Sequence, residues 1–400
     1  MDAIDTSPAS PARPLLCVVG ARPNFMKMAA ILPALQQPPD PLPVRLVHTG
    51  QHYDAAMKEA FFVQLGIPEP DDDLGVGSGS HAVQTAEIMK RFEPVIDQWH
   101  PRAVLVVGDV NSTLACALVA TKKGVPVIHV EAGLRSFDRT MPEEINRILT
   151  DQIADLLFTT EKEADAQLRR EGIHPDRIYF AGNVMIDTLL RILPRVPDPA
   201  TILGTLPGGH AFMASSEVPS DRHDSESLVP GSHGIVTLHR PANVDDPRIL
   251  ARLLDCLGEV SRDIPLIFPM HPRTANQIRV QGLLDRLQKQ RVLPTPPLGY
   301  VEMLGLVARA RLVLTDSGGL QEETTALGVP CLTLRDNTER PITVQQGTNT
   351  LVGNNPEKIR AGVAEILAGG GKKGHVPELW DGQAALRIAA ILKHHFGHAT

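Results

Sequence analysis

Apolar residues fall into short unbroken runs separated by longer stretches in which they recur every three or four positions. Runs such as Leu15-Leu16-Cys17-Val18-Val19 and Ala103-Val104-Leu105-Val106-Val107 have no polar side to turn to water, so they read as strands buried on both faces. In the first half the pattern predicts strands at 15–19, 44–48, 103–107, 127–130, 156–159 and 178–182. Helices alternate with them, through Lys27 to about Leu35, over 84–99, 112–123 and 143–155, and between the last two strands. Such alternation predicts a parallel sheet with helices on both sides.

Residues 195–233 break this rhythm, being rich in Pro, Gly, Ser and His, and read as a linker with a solvated insertion. The pattern then resumes, with strands at 234–238, 266–269, 292–293, 312–314 and 329–334. Its helices fall over 247–262, near 277–289, and from Leu320 to Leu327, where Gly328 is the stop signal. The last helix, 383–396, is amphipathic through Ala385, Ile388, Ile391, Leu392 and His395, and needs a surface to pack against. The expected organisation is a disordered tail over 1–13, an α/β domain over 14–194, the linker over 195–233 and a second α/β domain over 234–379.

Parallel sheets bind ligands at the carboxyl ends of their strands, and the polar residues gather there. The first half places Arg22, Gln51-His52, Asp109, Glu131 and Arg135 just beyond strands; the second places His239-Arg240, His271, Ser317-Gly318 and Arg340. Singly, each has a plainer explanation. Asp109 could cap the helix beginning near Ser112, and His239 or His271 could be a half-buried histidine with its bonds satisfied. Together they predict a cleft between two Rossmann-like domains. On the first side Asp109, Glu131 and Glu143, with Arg135 and Arg147 as basic partners, suit general acid–base work on carbon or on a glycosidic oxygen. The plainer reading is helix-start acids and surface ion pairs, which Glu143 after Pro142 also fits. On the second side, Thr315-Asp316-Ser317-Gly318-Gly319 joins a strand to a helix. The glycine pair is either only a tight turn or a seat where backbone N–H groups meet an anion, with Arg340 available to a diphosphate.

Composition narrows the classes. A chain of 400 residues exceeds the comfortable size of one core. A net charge of −7 argues against a nucleic-acid-binding surface. Cys17, Cys116, Cys256 and Cys331 each sit in apolar surroundings with no CxxC pairing, as small buried hydrophobes of a reducing compartment do. The first residues lack the basic start and apolar centre of a signal peptide, and no apolar run approaches membrane-spanning length. A cytoplasmic protein is expected. No P-loop, no GxGxxG with a ribose-binding acid and no GxSxG elbow occurs. The histidines and acids lack metal-ligand spacing, so no metal is expected.

The strand-end motifs together resemble the non-hydrolysing UDP-N-acetylglucosamine 2-epimerases. They are Gly20-Ala21-Arg22-Pro23 with Lys27, Thr49-Gly50-Gln51-His52, Gly108-Asp109, His129-Val130-Glu131-Ala132-Gly133-Leu134-Arg135 and Pro142-Glu143-Glu144 with Asn146-Arg147. Gly182-Asn183, His239-Arg240, His271-Pro272, Thr315-Asp316-Ser317-Gly318-Gly319 with Gln321-Glu322-Glu323, and Arg335-Asp336 with Thr338-Glu339-Arg340-Pro341 complete the set. The similarity runs from about Leu15 to the last helix. It implies a glycosyltransferase-B-like fold in which that helix, 380–400, crosses back to the first domain. It also implies a homodimer that interconverts UDP-N-acetylglucosamine and UDP-N-acetylmannosamine without nicotinamide or metal, for surface-polysaccharide precursors. In the family's mechanism a base removes the C2 proton as UDP leaves C1, and UDP re-adds to the 2-acetamidoglucal with a proton on the other face.

By the resemblance Asp109, Glu131, Glu143 and His239 are the catalytic set. Arg22, Lys27, Arg135 and Arg147 support the sugar and carboxylate side, and Arg240 and His271 belong to the substrate site. Ser317, Gly318, Gly319 and Arg340 hold the diphosphate, Glu323 the ribose, and the loop from Pro297 to Tyr300 the uracil. The chain departs from many members in three places. Asn24 stands where a glutamate follows Arg-Pro, and Pro241-Ala242-Asn243 replaces Arg-Glu-Asn. Tyr53-Asp54 follows Gln51-His52 in place of the polar groups of members activated by a second UDP-N-acetylglucosamine. Epimerases of a 2,3-diacetamido uronic acid share this Gln-His-Tyr-Asp pattern, so that sugar stays open as substrate. The same motifs leave room for a hydrolysing 2-epimerase or a catalytically silent nucleotide-sugar-binding protein.

Overall fold

A computed structural model describes residues 13–51, 62–215, 231–288 and 290–397. Nearly all of the expected tail, His52, the Tyr53-Asp54 departure and residues 216–230 of the insertion lie outside them. The chain forms two compact units. One comprises the residues up to Gly133, Asp138–Val184 and the chain end from Gln383; the other comprises Leu134–Phe137 and Met185–Gly382.

The first unit is built on β1 (Leu15–Val19), β2 (Val44–His48), β3 (Asp72–Asp73), β4 (Ala103–Val107), β5 (Val127–Ala132), β6 (Leu156–Thr159) and β7 (Ile178–Phe180). All pairs are parallel, in the order β3-β2-β1-β4-β5-β6-β7. β1, β4, β5 and β6 are buried along their whole length, as continuous apolar runs require. Its helices are α1 (Arg22–Gln36), α2 (His81–Trp99), α3 (Asn111–Lys122), α4 (Pro142–Ile153) and α5 (Lys162–Arg170). The sheet order reverses between β1 and β4, where doubly wound sheets open to ligands.

Helix α6 (Val184–Ile192) leads on, and α7 (Pro199–Gly204) and α8 (Gly209–Ser215) occupy part of the expected linker. They are anchored by Ile202, Leu203 and Phe212, which join a core with β8 (Gly234–Thr237). Leu206 and Met213 pack beside them, and apolar residues this scattered among Pro and Gly show no clear periodicity yet suffice to dock two short helices. The second sheet adds β9 (Leu266–Pro269), β10 (Val292–Thr295), β11 (Leu312–Thr315), β12 (Cys331–Thr333) and β13 (Asn349–Leu351), in the parallel order β10-β9-β8-β11-β12-β13. Helices α9 (Pro241–Val244) and α10 (Pro247–Val260) follow β8. The helix expected over 277–289 is two, α11 (Pro272–Val280) and α12 (Leu284–Gln288), because Gly282 between them takes a left-handed φ of +64°. Then come α13 (Tyr300–Val307), α14 (Gly318–Leu327), α15 (Pro341–Gln345) and α16 (Pro356–Leu367). This sheet reverses order between β8 and β11. Gly328 ends α14 in the left-handed region, as expected.

The final helix, α17 (Ala384–Phe396), belongs to the first unit. It buries Ala384, Ala385, Ile388, Ala389 and Leu392 and packs on α1. Arg102 Nη1 donates to the Phe396 carbonyl at its end (2.6 Å). All four cysteines are buried and free. Among the described residues no helix is long and apolar enough to cross a membrane, and no group of three or more His, Cys, Asp or Glu could hold a metal ion.

Candidate active site

In the first unit the loops after β1, β4 and β5 meet where the strand order reverses. Asn24 ties two of them together. Its Oδ1 accepts from the N–H groups of Gly20 and Ala21 (3.1 Å each), and its Nδ2 donates to the Val107 carbonyl (2.9 Å). A glutamate could accept at α1 but could not make the bond to β4, which gives the departure at this position a physical role. Arg22 opens α1, half-buried. Lys27, one turn on, is buried and paired with Glu131, and its ammonium lies over Gly108.

Asp109 does not cap α3, whose cap residue is Val110. Its carboxylate instead takes a two-pronged bond from Arg147 (Nε 3.0 Å, Nη2 2.9 Å), and Asn146 Nδ2 donates to its carbonyl (2.9 Å). Arg147 is buried and also binds Glu144. Glu143 is half-buried in the first turn of α4, which suits a helix-start acid as well as a catalytic one. Gln51 accepts from the backbone and hydroxyl of Ser112 (3.1 and 2.8 Å) and so helps begin α3.

Glu131 has a left-handed φ of +73°, at a register shift between β5 and β6. A non-glycine residue there costs on the order of 1–3 kcal/mol, and such strain gathers at functional sites. The irregularity turns the carboxylate out of strand alternation onto Lys27. His129, two residues earlier, is fully buried; its Nδ1 faces Asp151 Oδ1 (2.7 Å) and its Nε2 the Gly108 carbonyl (2.8 Å).

In the second unit the organising group is Asp316, fully buried beyond β11. It accepts from the backbone N–H of His239 (3.0 Å) and Arg240 (2.9 Å) and from Asn243 Nδ2 (3.1 Å), and its Oδ1 lies 2.8 Å from His239 Nδ1. Burial pushes its carboxyl upward, but the His239 bond and charge and the other donors outweigh this and hold it below the usual aspartate range. This pairing fixes the His239 ring with Nε2 as the nitrogen left for chemistry. The His271 ring is centred 5.7 Å away, and its Nδ1 caps α11 by accepting from Arg273 N (3.2 Å).

Helix α14 opens after its cap residue Ser317, with the Glu339 carboxylate packed against Gly318. Behind its start, Gln321, Glu322, Glu323, Thr324 and Thr325 are all buried. Arg340 Nε is held by Glu322 (3.0 Å), Arg335 by Glu339 (2.8 Å), and Arg240 approaches Glu339 at 3.8 Å. The Arg340 guanidinium thus meets any ligand already fixed by a carboxylate. Burial first, then the neighbouring Glu322, pushes the Glu323 carboxyl up to about 8, against the opposing effect of the nearby Tyr300 hydroxyl. Burial and Glu323 push the Tyr300 phenol up in turn. Pro297 is exposed, whereas Tyr300 is buried at the start of α13. Arg135 lies in the short segment grouped with the second unit, and its Nη1 donates to the Leu134 carbonyl (2.7 Å).

The structure therefore brings Lys27 to Glu131, Arg147 to Asp109, His239 to His271, and Glu323 to Tyr300. It adds Glu144, His129, Asp151, Asp316 and Glu322, which strand-end reasoning did not single out. The signal for Asp316 and Glu322 was present, since both stand in the Thr-Asp-Ser-Gly-Gly and Gln-Glu-Glu motifs. His129 likewise opens the His-Val-Glu-Ala-Gly-Leu-Arg motif and Glu144 stands in Pro-Glu-Glu, whereas nothing local marked Asp151, an acid within a helix.

Two Rossmann-like units, one with carboxylates individually paired at its strand ends and one with a glycine-started helix beside fixed arginines, define an enzyme of glycosyltransferase-B-like fold that acts on nucleotide-linked sugars. A model of the family described as UDP-N-acetylglucosamine 2-epimerase matches residues 34–393, and the chain belongs to that family. It is 39% identical over 381 residues to a UDP-N-acetylglucosamine 2-epimerase of Methanocaldococcus jannaschii, covering 94% of this chain and 98% of that one. It is 40% identical over 386 residues to a UDP-2,3-diacetamido-2,3-dideoxy-D-glucuronate 2-epimerase of Pseudomonas aeruginosa, covering 94% and 99%. A crystal structure of the M. jannaschii enzyme in complex with UDP-GlcNAc and UDP superposes with a TM-score of 0.80 over 95% of this chain and 99% of that chain.

Proposed function

We propose that this chain epimerises a UDP-N-acetylhexosamine at C2 without net hydrolysis, interconverting UDP-N-acetylglucosamine and UDP-N-acetylmannosamine. The observation that carries the reading is the pair Asp109 and Glu131, at the ends of adjacent strands and each bound to its own cation, Arg147 and Lys27. A proton on C2 is a poor acid, so its removal has to be coupled to departure of a good leaving group. A base takes the C2 proton, the C–H electron pair forms the C1=C2 bond, and the C1–O bond breaks with its electrons passing to UDP. Return of UDP to C1, with a proton delivered to the opposite face of C2, completes the inversion. Two faces require acid–base groups at more than one place, which separately held carboxylates supply.

In this reading Asp109, Glu131, Glu143 and His239 form the catalytic set, with Arg22, Lys27, Arg135 and Arg147 supporting the sugar and the carboxylates. Ser317, Gly318, Gly319 and Arg340 hold the diphosphate at the start of α14. Glu323 meets the ribose, the segment from Pro297 to Tyr300 the uracil, and Arg240 and His271 flank His239. The enzyme works as a homodimer in the cytoplasm and supplies surface-polysaccharide precursors. Sedimentation that finds only monomer under assay conditions removes the dimer.

The test is incubation with UDP-N-acetylglucosamine in heavy water, with products resolved. Deuterium at C2 of both epimers is expected. UDP accompanied by free sugar points to a hydrolysing enzyme, and no exchange with any UDP-sugar tried points to a binding protein. A second substrate has equal footing in sequence, because the identity to the P. aeruginosa uronate epimerase matches that to the M. jannaschii enzyme. A panel containing UDP-2,3-diacetamido-2,3-dideoxy-D-glucuronate separates the two by kcat/KM.

A further inference from the structure

We propose that His129 and Asp151 form a buried charged clamp that positions the Asp109 and Glu131 carboxylates for turnover, an inference that rests on the epimerase reading of those two acids. Both clamp side chains are fully buried, His129 on β5 and Asp151 on α4. Together they hold two backbone points and each other. His129 Nε2 donates to the carbonyl of Gly108, the residue before Asp109 (2.8 Å). Gly133 N–H, two residues beyond Glu131, donates to Asp151 Oδ2 (3.1 Å). His129 is itself two residues before Glu131, and its Nδ1 faces Asp151 Oδ1 (2.7 Å). The left-handed backbone at Glu131 is thus pinned on both sides, and the start of the Asp109 loop is pinned to the same ring.

The partners dictate the charge. A carbonyl oxygen has no proton to give, so Nε2 donates. The Asp151 carboxylate accepts from Gly133 through one oxygen and faces Nδ1 with the other. One further proton lies between Nδ1 and Asp151 Oδ1, and we place it on the imidazole, ordinarily the stronger base of the two, which makes the pair ionic. Helix α4 also carries Arg147, the partner of Asp109, so Asp151 couples that helix to both catalytic strand ends. A buried ion pair is an expensive way to stabilise a fold, and its best-attested use is to impose one geometry. Strained functional backbone needs such over-determination.

The test compares Asp151→Asn and His129→Gln with the parent and with Asp109→Asn, in the full chain and with the UDP-sugar the parent turns over best. The stoichiometry of UDP binding counts competent sites, since UDP is assigned to residues outside the clamp. Expected are UDP affinity and KM near the parent's and a kcat per competent site lowered about tenfold or more, a loss of ~1.4 kcal/mol of transition-state stabilisation. Unchanged kcat per competent site in both clamp variants, with only thermal stability lowered, overturns the proposal. Nitrogen-15 NMR of histidine-labelled parent protein gives a readout that does not depend on variants folding. A His129 ring protonated at both nitrogens supports the clamp, and one protonated at a single nitrogen overturns it. No turnover of any UDP-sugar by the parent would sink the epimerase reading itself, full turnover by Asp109→Asn would remove that acid and the clamp with it, and a dead Asp109→Asn beside a fully active Asp151→Asn would sink only the clamp.

Discussion

At the scale of residues, Glu131 combines a left-handed backbone, burial and an ion pair, a combination that packing alone does not produce. General acid–base groups contribute roughly 10²–10⁴-fold to rate, so Asp109→Asn and Glu131→Gln should each lower kcat by about two orders of magnitude or more. UDP affinity, measured by calorimetry, should hold, because UDP is assigned to the other unit. Glu323 makes a separate prediction. Its carboxyl titrates near 8 in the folded chain against an ordinary glutamate value of 4.5. The folded state therefore binds the extra proton between those values, and the stability it contributes is complete below the lower one and is lost as pH rises through the upper. Urea melts of the parent should show stability falling with pH across that window relative to Glu323→Gln, by up to ~1.4 kcal/mol per pH unit. Identical pH profiles for the two proteins would contradict the burial of an acid there.

At the scale of elements, the loop after β5 depends on close backbone approach. Gly133 has φ +81°, and a Cβ built there would stand 2.7 Å from the Ala164 carbonyl oxygen and 3.0 Å from the Ala164 Cβ. Alanine must both adopt an unfavourable conformation and displace α5. Gly133→Ala should cost about 2 kcal/mol or more by chemical denaturation and lower kcat as well. Helix α14 illustrates a different constraint. Its buried face is polar, with Gln321 Oε1 accepting from Thr338 Oγ1 (2.6 Å) and Asn349 Nδ2 (3.0 Å), and Glu322 binding Arg340. Buried polar groups survive only where partners meet them, so this helix is a consequence of the segments around it.

At the scale of the molecule, α17 closes the first unit from the far end of the chain. Ile388 on its inner face is fully buried, so Ile388→Asp places a charge in an apolar contact. It should destabilise the first unit by roughly 3–5 kcal/mol. Melts followed through the tryptophans should resolve this, because Trp99 reports the first unit and Trp380 the second. A single unshifted transition for both would show that α17 does not hold that unit together.

The sequence by itself determined most of the two sheets. Strands buried on both faces must be apolar throughout, so β1, β4, β6, β9 and the start of β11 were legible from their runs. The strand-end positions of Asp109, Glu131, His239 and the Ser-Gly-Gly turn were legible too, because each follows or ends an apolar run. The two-residue β3 and the short α7 and α8 were not, since too few apolar positions mark them. Only tertiary structure decided the pairings that give those residues their chemistry: Lys27 with Glu131, Arg147 with Asp109, Asp316 under His239, and the His129–Asp151 pair. The physical reason is that a polar group's state depends on partners brought together from distant segments, while an apolar run carries its own instruction to be buried.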